Sequence, residues 1–339
     1  MTRHHERHDE RVLSEAFGIQ HADDQFYFRP LILGQNLFSY VAHIPPGGGV
    51  PPYPVHAKRN QIEHSLYVLS GILEVEVGGA SVSMVPHTAI HIAAGEAVEM
   101  LNGTDSPVSI YMVYSPSPWG PESHYEDRKA ITTHDEMLAF YQARGTRIWS
   151  PEEMNAMGGD LSSKEHSLGE YKKIWESGQS PEPGKEKPWI ALWEAAGIQH
   201  WHKGEREPDQ FWFRPMVCGE KHLTYVGYVP PGGVVPPSAE EAQLVEECIF
   251  TLSGNLGVII PDGEKELRFS LPPYHAIHGP QFQPEGIYND GDQTAIFILT
   301  FTPNRPGRVS VQIFHDWAAK AEWLQFSAKE LNDKFGESV

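Results

Sequence analysis

Apolar and β-branched residues occur along most of the chain in short runs that end at proline and glycine. The run from Leu37 to Ile44 ends at Pro45-Pro46-Gly47-Gly48, and the run from Leu223 to Val229 ends at Pro230-Pro231-Gly232-Gly233. Proline cannot donate a hydrogen bond to a neighbouring strand, and glycine readily adopts turn conformations. Each run is therefore predicted to be a β-strand that stops at the motif.

Two further apolar runs, Ser65 to Val77 and Cys248 to Ile260, each carry a Ser-Gly pair at the centre. A turn signal between two β-rich runs is typical of a β-hairpin, so we predict one hairpin in each run.

The motifs follow one another in the same order twice along the chain. Asp24-Gln25-Phe26-Tyr27-Phe28-Arg29-Pro30 returns as Asp209-Gln210-Phe211-Trp212-Phe213-Arg214-Pro215, Leu69-Ser70-Gly71 returns as Leu252-Ser253-Gly254, and Asn102 matches Asn289. The copies lie about 185 residues apart, a period far longer than that of a solenoid repeat. The repeat predicts two β-domains of one topology, and 339 residues suffice for two separate cores.

Four segments are predicted from the repeat and from the residues around it. The first β-domain spans residues 1–125 and the second spans 191–315. Helix formers followed by a stretch rich in Pro, Gly and charge predict a largely helical linker over 126–190. Residues 316–339 carry an apolar pattern that predicts a C-terminal helix.

Composition narrows the classes of partner. Lys and Arg number 26 against 45 Asp and Glu, which gives a formal charge of −19. Such a chain is repelled by nucleic-acid phosphates and by anionic lipid surfaces, so neither is an expected partner. The sequence has no apolar run long enough to span a bilayer and only two cysteines, Cys218 and Cys248, without metal-binding spacing. We expect a cytoplasmic protein with reduced thiols.

The Pro-Pro-Gly-Gly motif, a polar loop, Tyr67-Val68-Leu69-Ser70-Gly71 and a strand ending at Asn102 together resemble the cupin superfamily, and the resemblance covers both copies. It implies an all-β-dominated bicupin with two tandem double-stranded β-helix, or jelly-roll, barrels. In that family, two His and one Glu from the first motif and one His from the second hold a metal ion. These four ligands converge because alternate strand residues face the barrel interior.

In the second copy, the resemblance transfers the family's Glu position to Glu247, the two first-motif His positions to Glu241 and Gln243, and the last His position to Glu285. Three carboxylates in one cavity repel one another unless a cation or shared protons neutralise them. The resemblance implies Fe²⁺ or Mn²⁺, and an oxygen-rich ligand set also suits Mg²⁺ or Ca²⁺. The alternative is that Glu240, Glu241 and Glu246 lie on a solvated loop and Glu285 lies at the barrel mouth.

In the first copy, His64 takes the Glu position and Val98, which cannot bind a metal, takes the last ligand position. A second-choice metal site would therefore rest on His56 and His64, close to the opposing charge of Lys58. His278 matches His91 of the first copy and is the candidate catalytic residue.

Three functions stay open at this point. The resemblance implies a metal-dependent bicupin enzyme, with a dioxygenase that cleaves a hydroquinone-like or gentisate-like ring as the first expectation. A hydrolase or decarboxylase of a small organic acid is an alternative, and so is a non-catalytic bicupin subunit whose metal sites have decayed. A small-molecule substrate is expected in either enzyme, and the family resemblance implies a homodimer or a heteromer with a smaller cupin subunit.

Overall fold

The computed structural model of the chain describes residues 10–20, 25–51, 62–77, 79–119, 131, 133–158, 189–192, 198–201, 211–219, 221–237, 245–303 and 323–326. These residues form antiparallel β-strands, two α-helices and one short 3-10 turn. The strands are β1 Glu10–Val12, β2 Gly18–Gln20, β3 Tyr27–Leu33, β4 Phe38–Ile44, β5 Gly49–Val50, β6 Glu63–Ser70, β7 Leu73–Val77, β8 Ala80–Met84, β9 Thr88–Ile92, β10 Val98–Leu101, β11 Val108–Ser115, β12 Ile148–Trp149, β13 Trp189–Leu192, β14 Ile198–Trp201, β15 Phe211–Cys218, β16 Leu223–Val229, β17 Val234–Val235, β18 Val245–Ser253, β19 Leu256–Asp262, β20 Lys265–Leu271, β21 His275–Gly279, β22 Gly286–Tyr288, β23 Ala295–Pro303 and β24 Trp323–Phe326.

The two copies of the repeat have one topology. In the first, the sheet β12-β2-β3-β4-β11-β6-β9-β13 packs on the sheet β5-β10-β7-β8. In the second, the sheet β1-β21-β18-β23-β16-β15-β14-β24 packs on the sheet β17-β22-β19-β20. Two antiparallel sheets that enclose one apolar interior form a jelly-roll barrel, so the predicted fold class is confirmed.

Alternation of residue type along the strands decides which face lines each interior. In β7, Leu73, Val75 and Val77 are buried, whereas Glu74 and Glu76 between them are exposed. This period of two is what a strand with one face on the core requires. Each barrel consequently has its own cluster of buried apolar side chains.

The predicted hairpins at the Ser-Gly pairs are wrong. Strand β6 pairs with β9 and β11, and β7 pairs with β8 and β10, so the turn at Gly71 carries the chain from one sheet to the other. The same corner occurs at Gly254. Both glycines have a positive φ, +80° and +70°, which an L-residue with a side chain rarely adopts.

A buried asparagine fastens the Pro-Pro-Gly-Gly turn in each copy. The Asn102 side chain donates to the carbonyl oxygens of Ile44 (2.9 Å) and Ser106 (2.8 Å), while its backbone N–H donates to Gly48 O (2.9 Å). Asn289 repeats this arrangement, donating to Val229 O and Gln293 O, both at 2.7 Å. The matched motifs of the repeat are therefore in direct contact.

The first strand of each copy joins the barrel of the other copy. β1 pairs with β21 of the second barrel, and β13, which opens the second copy, pairs with β9 of the first barrel. Both strands therefore pair across the predicted domain boundaries. Each supplies hydrogen-bonding partners to the edge strand of a sheet in the other copy.

Between the barrels, helices α1 His134–Gln142 and α2 Pro151–Gly158 lie inside the segment predicted to be a helical linker. The C-terminal helix is wrong for Trp323–Phe326, which forms β24 and pairs with β14. β24 has the place in the second sheet that β12 has in the first, so the repeat continues into this segment. The remainder of 316–339 lies outside the described residues.

A third apolar core lies between the two eight-stranded sheets. It includes Tyr111 of the first barrel, whose ring stacks on that of Phe250 of the second barrel at 5.3 Å. At its centre the buried Cys248 thiol lies 3.1 Å from the Tyr111 hydroxyl and 3.4 Å from the Ser39 hydroxyl. The outer faces of the two barrels are thus joined as one packed interior.

We predict that Asn102→Ala lowers the free energy of unfolding by about 2–4 kcal/mol, because it leaves buried carbonyl groups without a donor. Denaturant unfolding followed by circular dichroism measures this. The control is Asn255→Ala at an exposed position, which should change the value by less than about 0.5 kcal/mol. Equal effects of the two substitutions would contradict the role assigned to Asn102.

Candidate functional site

Two carboxylates meet inside the second barrel. Glu247 lies on β18 directly opposite Gly279 of β21, and Glu285 immediately precedes β22. A Cβ atom added to Gly279 would lie 2.5 Å from a carboxylate oxygen of Glu285. Gly279 therefore leaves the space that the Glu285 carboxylate occupies, and that carboxylate has no accessible oxygen.

The environment of this pair favours protonation or cation binding. Burial raises the pKa of Glu247 well above its usual range, and the charge and hydrogen-bonding contact of Glu285 raise it further. Burial also raises the pKa of Glu285, although the hydrogen bond to Glu247 and the nearby His278 oppose this rise. Two carboxylates so close together cannot both remain ionised without a proton or a cation between them.

The donor chemistry of this pair suits a hard divalent cation, since both side chains offer carboxylate oxygens. The structure brings together Glu247 and Glu285, two of the four residues to which the family resemblance assigns the metal. The other two predicted ligands, Glu241 and Gln243, lie outside the described residues. Within the part of the chain that is described, no group of three or more His, Cys, Asp or Glu side chains is arranged to hold a metal ion.

Among the described residues of the first barrel there is no such pair. Val98, at the position of Glu285, is buried in the apolar core, and Ile92 stands where the second copy has Gly279. The His64 ring, at the position of Glu247, packs 4.1 Å from the ring of Tyr114. His56, the other member of the second-choice site, lies outside the described residues.

His278 lies on the opposite face of the sheet from the carboxylate pair. Its Nε2 atom is 3.1 Å from Oε1 of Glu246, which is the neighbour of Glu247 and points out of the barrel. The Glu246 carboxylate is 1% exposed and accepts hydrogen bonds from the backbone N–H (3.0 Å) and side-chain amide (3.1 Å) of Asn36 in the first barrel. His278 thus belongs to a contact between the barrels.

The first copy makes the reciprocal contact. Glu63 accepts a hydrogen bond from the backbone N–H of Lys221 in the second barrel at 3.0 Å. Its Oε1 lies 2.8 Å from Nε2 of His91 and 3.4 Å from Nδ1 of His222. Cβ atoms added to Gly34 or Gly219 would overlap the glutamate that reaches in from the other barrel, so both turns require glycine. We call these two contacts the cross-barrel glutamates, Glu63 and Glu246.

The sequence analysis did not predict that Glu63 and Glu246 contact the opposite barrel. The signal for them was the pair of polar residues at Glu63-His64 and Glu246-Glu247 inside otherwise apolar strands. Successive strand residues face opposite sides of a sheet, so one member of each pair must point out of its barrel.

The contact made by Glu63 differs electrostatically from the contact made by Glu246. His222 is fully buried, and burial lowers its pKa to about 4; the nearby Glu63 charge opposes this shift and His91 adds to it. Burial alone would raise the pKa of Glu63, but His91, His222 and the Lys221 N–H together bring it below its usual value. The first copy has Leu37 where the second has His222, so that among the described residues Glu246 has one imidazole neighbour, His278.

Comparison with known proteins identifies the architecture. No family model and no curated protein matches the chain. Solved structures do match. A Pseudomonas aeruginosa protein described as glyoxylate-induced aligns at 14% identity over 87% of this chain and 92% of its own, with a TM-score of 0.53. Bacillus subtilis oxalate decarboxylase aligns at 13% identity over 86% of this chain and 75% of its own, with a TM-score of 0.51.

The chain has the bicupin fold. A formate complex of Lactobacillus farciminis oxalate decarboxylase is a further match, with 14% identity over 96% of this chain and 90% of that one and a TM-score of 0.51. Identity at this level carries the fold and not the activity. The cupin architecture predicted from the motifs is thereby confirmed. None of the described helices of this bicupin is long and apolar enough to cross a membrane.

We predict that His222→Leu, which installs the residue of the matched position Leu37, weakens the acid sensitivity of the protein. Because the unfolded chain binds a proton near pH 6.5 and folded His222 does so only near pH 4, wild-type stability falls as the pH drops through this window. The loss is on the order of 3 kcal/mol. The lowered pKa of Glu63 adds a loss in the same direction as the pH falls through its folded value.

Urea unfolding at several pH values between 4 and 7 measures this. The control His275→Leu removes a partly exposed imidazole and should leave the wild-type slope in place. An unchanged slope in His222→Leu would show that its burial does not set the acid sensitivity.

We also predict that, in the presence of a chelator, Glu285→Gln melts at a higher temperature than the wild type at pH 8. Raised carboxyl pKa values give stability that is present at low pH and is lost as the pH rises through the folded values, so the difference should shrink toward pH 5. Calorimetry measures the melts, and Glu266→Gln at an exposed position is the control. A lower melt for Glu285→Gln at pH 8 would contradict repulsion within the pair.

Proposed function

We propose that this bicupin is a metal-dependent enzyme that acts on a small organic acid, and that its active site is the carboxylate pair of the second barrel. The observation that carries the proposal is the meeting of Glu247 and Glu285 inside the barrel, with the space for Glu285 provided by Gly279. Of the three matched structures reported above, two are oxalate decarboxylases and one is described as glyoxylate-induced, which supports a small organic acid as substrate.

In this proposal Glu247 and Glu285 hold the ion, and Glu241 and Gln243 complete the ligand set. Mn²⁺ or Fe²⁺ is the proposed ion, with Mg²⁺ or Ca²⁺ as oxygen-preferring alternatives. A divalent ion would neutralise the pair and act as a Lewis acid toward a substrate oxygen. The barrel supplies a buried environment in which the charges of substrate and site interact strongly.

His278 supports this site from outside the barrel. Its Nε2 atom is engaged by Glu246, and its proximity to Glu285 favours the ionised form of that carboxyl. Because a metal ion binds carboxylates in their ionised form, we propose that His278 and Glu246 position the site and favour the ionised form of Glu285. The prediction that His278 is itself a catalytic residue stays a prediction.

The ring-cleaving dioxygenase and the non-catalytic subunit also stay predictions. Oxalate, the substrate named for two of the reported structures, is a small organic acid, so this is the better supported substrate class. The carboxylate pair argues against decay of the site in the second barrel, because two buried like charges are costly when they serve no purpose.

We predict that the purified protein binds one Mn²⁺ per chain and that Glu247→Ala weakens this binding at least tenfold, since it removes one of the two described carboxylate ligands. Isothermal titration calorimetry and elemental analysis measure the binding. The matched control is His64→Ala at the same position of the first barrel, which should leave Mn²⁺ binding unchanged.

Turnover of oxalate and of glyoxylate by the Mn²⁺-loaded protein then tests the substrate class. A folded wild-type protein that binds neither Mn²⁺ nor Fe²⁺ would contradict the proposed function, whereas loss of the metal in His64→Ala would move the site to the first barrel.

A further inference from the structure

The loop between β21 and β22 carries an aromatic residue in a backbone conformation that disfavours side chains. Phe282 has φ +67° and is 68% exposed. The turn that contains it is closed by the Gln283 N–H donating to Pro280 O at 3.3 Å. A turn with a positive φ at its third residue normally has glycine or asparagine there, and a bulky residue is a true outlier.

The first copy has this same turn with a glycine. There the Glu96 N–H donates to Ala93 O at 3.1 Å, and Gly95, with φ +87°, takes the position of Phe282. The turn geometry is thus common to both copies, and phenylalanine is specific to the second. Its exposed ring is not part of the described apolar cores, so packing does not account for the choice.

Both ends of the Phe282 loop lie at the carboxylate pair. The loop leaves from Gly279, which stands opposite Glu247, and returns at Glu285, whose carboxylate lies against Gly279. In the first copy the loop runs from Ile92 to Val98, so a valine stands where the second copy has Glu285, and the carboxylate within the loop, Glu96, accepts a hydrogen bond from the Ala93 N–H at 3.1 Å. The second copy therefore combines the ring of Phe282, the space left by Gly279 and the carboxylate of Glu285. The matched positions of the first copy have none of these three features.

We propose that Phe282 is a specificity-determining residue that covers the mouth of the carboxylate site and contacts the apolar part of the ligand. This inference rests on the proposed function and deepens it, because it names the substrate class as a small carboxylic acid with an apolar or aromatic substituent. Backbone strain that persists where glycine would be accommodated is expected at ligand-contacting positions. An exposed aromatic ring at the entrance supplies contact area with few rotatable bonds to order.

The test uses two 2-oxo acids that share one carboxylate head. Glyoxylate carries hydrogen at the position where benzoylformate carries a phenyl ring. Calorimetric titration of the Mn²⁺-loaded full chain should give tighter binding for benzoylformate than for glyoxylate. Phe282→Ala and Phe282→Gly should each weaken benzoylformate binding by roughly three- to tenfold while changing glyoxylate binding less than twofold.

Two variants separate the ring from the backbone. Both lose the ring, but only Phe282→Gly also relieves the positive φ, so equal affinity losses in both assign the effect to the ring. Phe282→Gly should melt no lower than Phe282→Ala, which shows that the loop remains folded. Leu267→Ala, an exposed apolar residue on β20 that is 50% exposed, is the control and should bind both acids as the wild type does.

Unchanged benzoylformate binding in both Phe282 variants, with Mn²⁺ still bound, would overturn this inference and leave the proposed function standing. A wild type that binds neither Mn²⁺ nor either acid would overturn the proposed function and this inference with it. If Phe282→Ala instead changes the oligomeric state measured by light scattering and leaves both affinities unchanged, the ring is a contact between proteins and the inference is also overturned.

Discussion

The two barrels hold together through buried carboxylates that each barrel places in the other. Glu63 and Glu246 leave their own sheets and end against backbone N–H groups of the opposite barrel, at turns where only glycine leaves space. A buried carboxylate is costly unless it is bonded, so these contacts specify the distance and register between the barrels as well as joining them. The apolar core around Tyr111 and Phe250 supplies contact area between the barrels, and the two glutamates fix the relative position of the sheets that form it.

This constraint also sets the place of the candidate site. Glu246 and Glu247 are neighbours on one strand and face opposite sides of the sheet, so fixing Glu246 at the interface fixes Glu247 inside the barrel. His278 contacts the Glu246 carboxylate, and its proximity favours the ionised form of Glu285. The first barrel therefore contributes to the site through Asn36, although it lines no part of the described carboxylate pair. The interface and the site share one sheet.

The fold could be predicted from the sequence because its strongest signals are local. The Pro-Pro-Gly-Gly turns and the asparagines that match across the repeat are bonded to each other, and the family resemblance pairs Glu247 with Glu285, which are in contact in the structure. The errors came from partners distant in sequence. Gly71 turns the chain between sheets and not within a hairpin, and Trp323–Phe326 is a strand because β14 presents an open edge. The cross-barrel role of His278 likewise depends on Asn36 and Glu246, far apart along the chain.

The exchange of β1 and β13 has a consequence for how the chain could be divided. Each copy completes its neighbour's sheet and receives its own outermost strand in return, which is the arrangement of a homodimer whose subunits swap their first segments. A single copy made alone would present an unpaired edge at β9 or β21, together with an uncovered apolar face and a glutamate with no opposing turn. Neither half is then an independent module, and two fragments cut between α2 and β13 would have to find each other in order to fold.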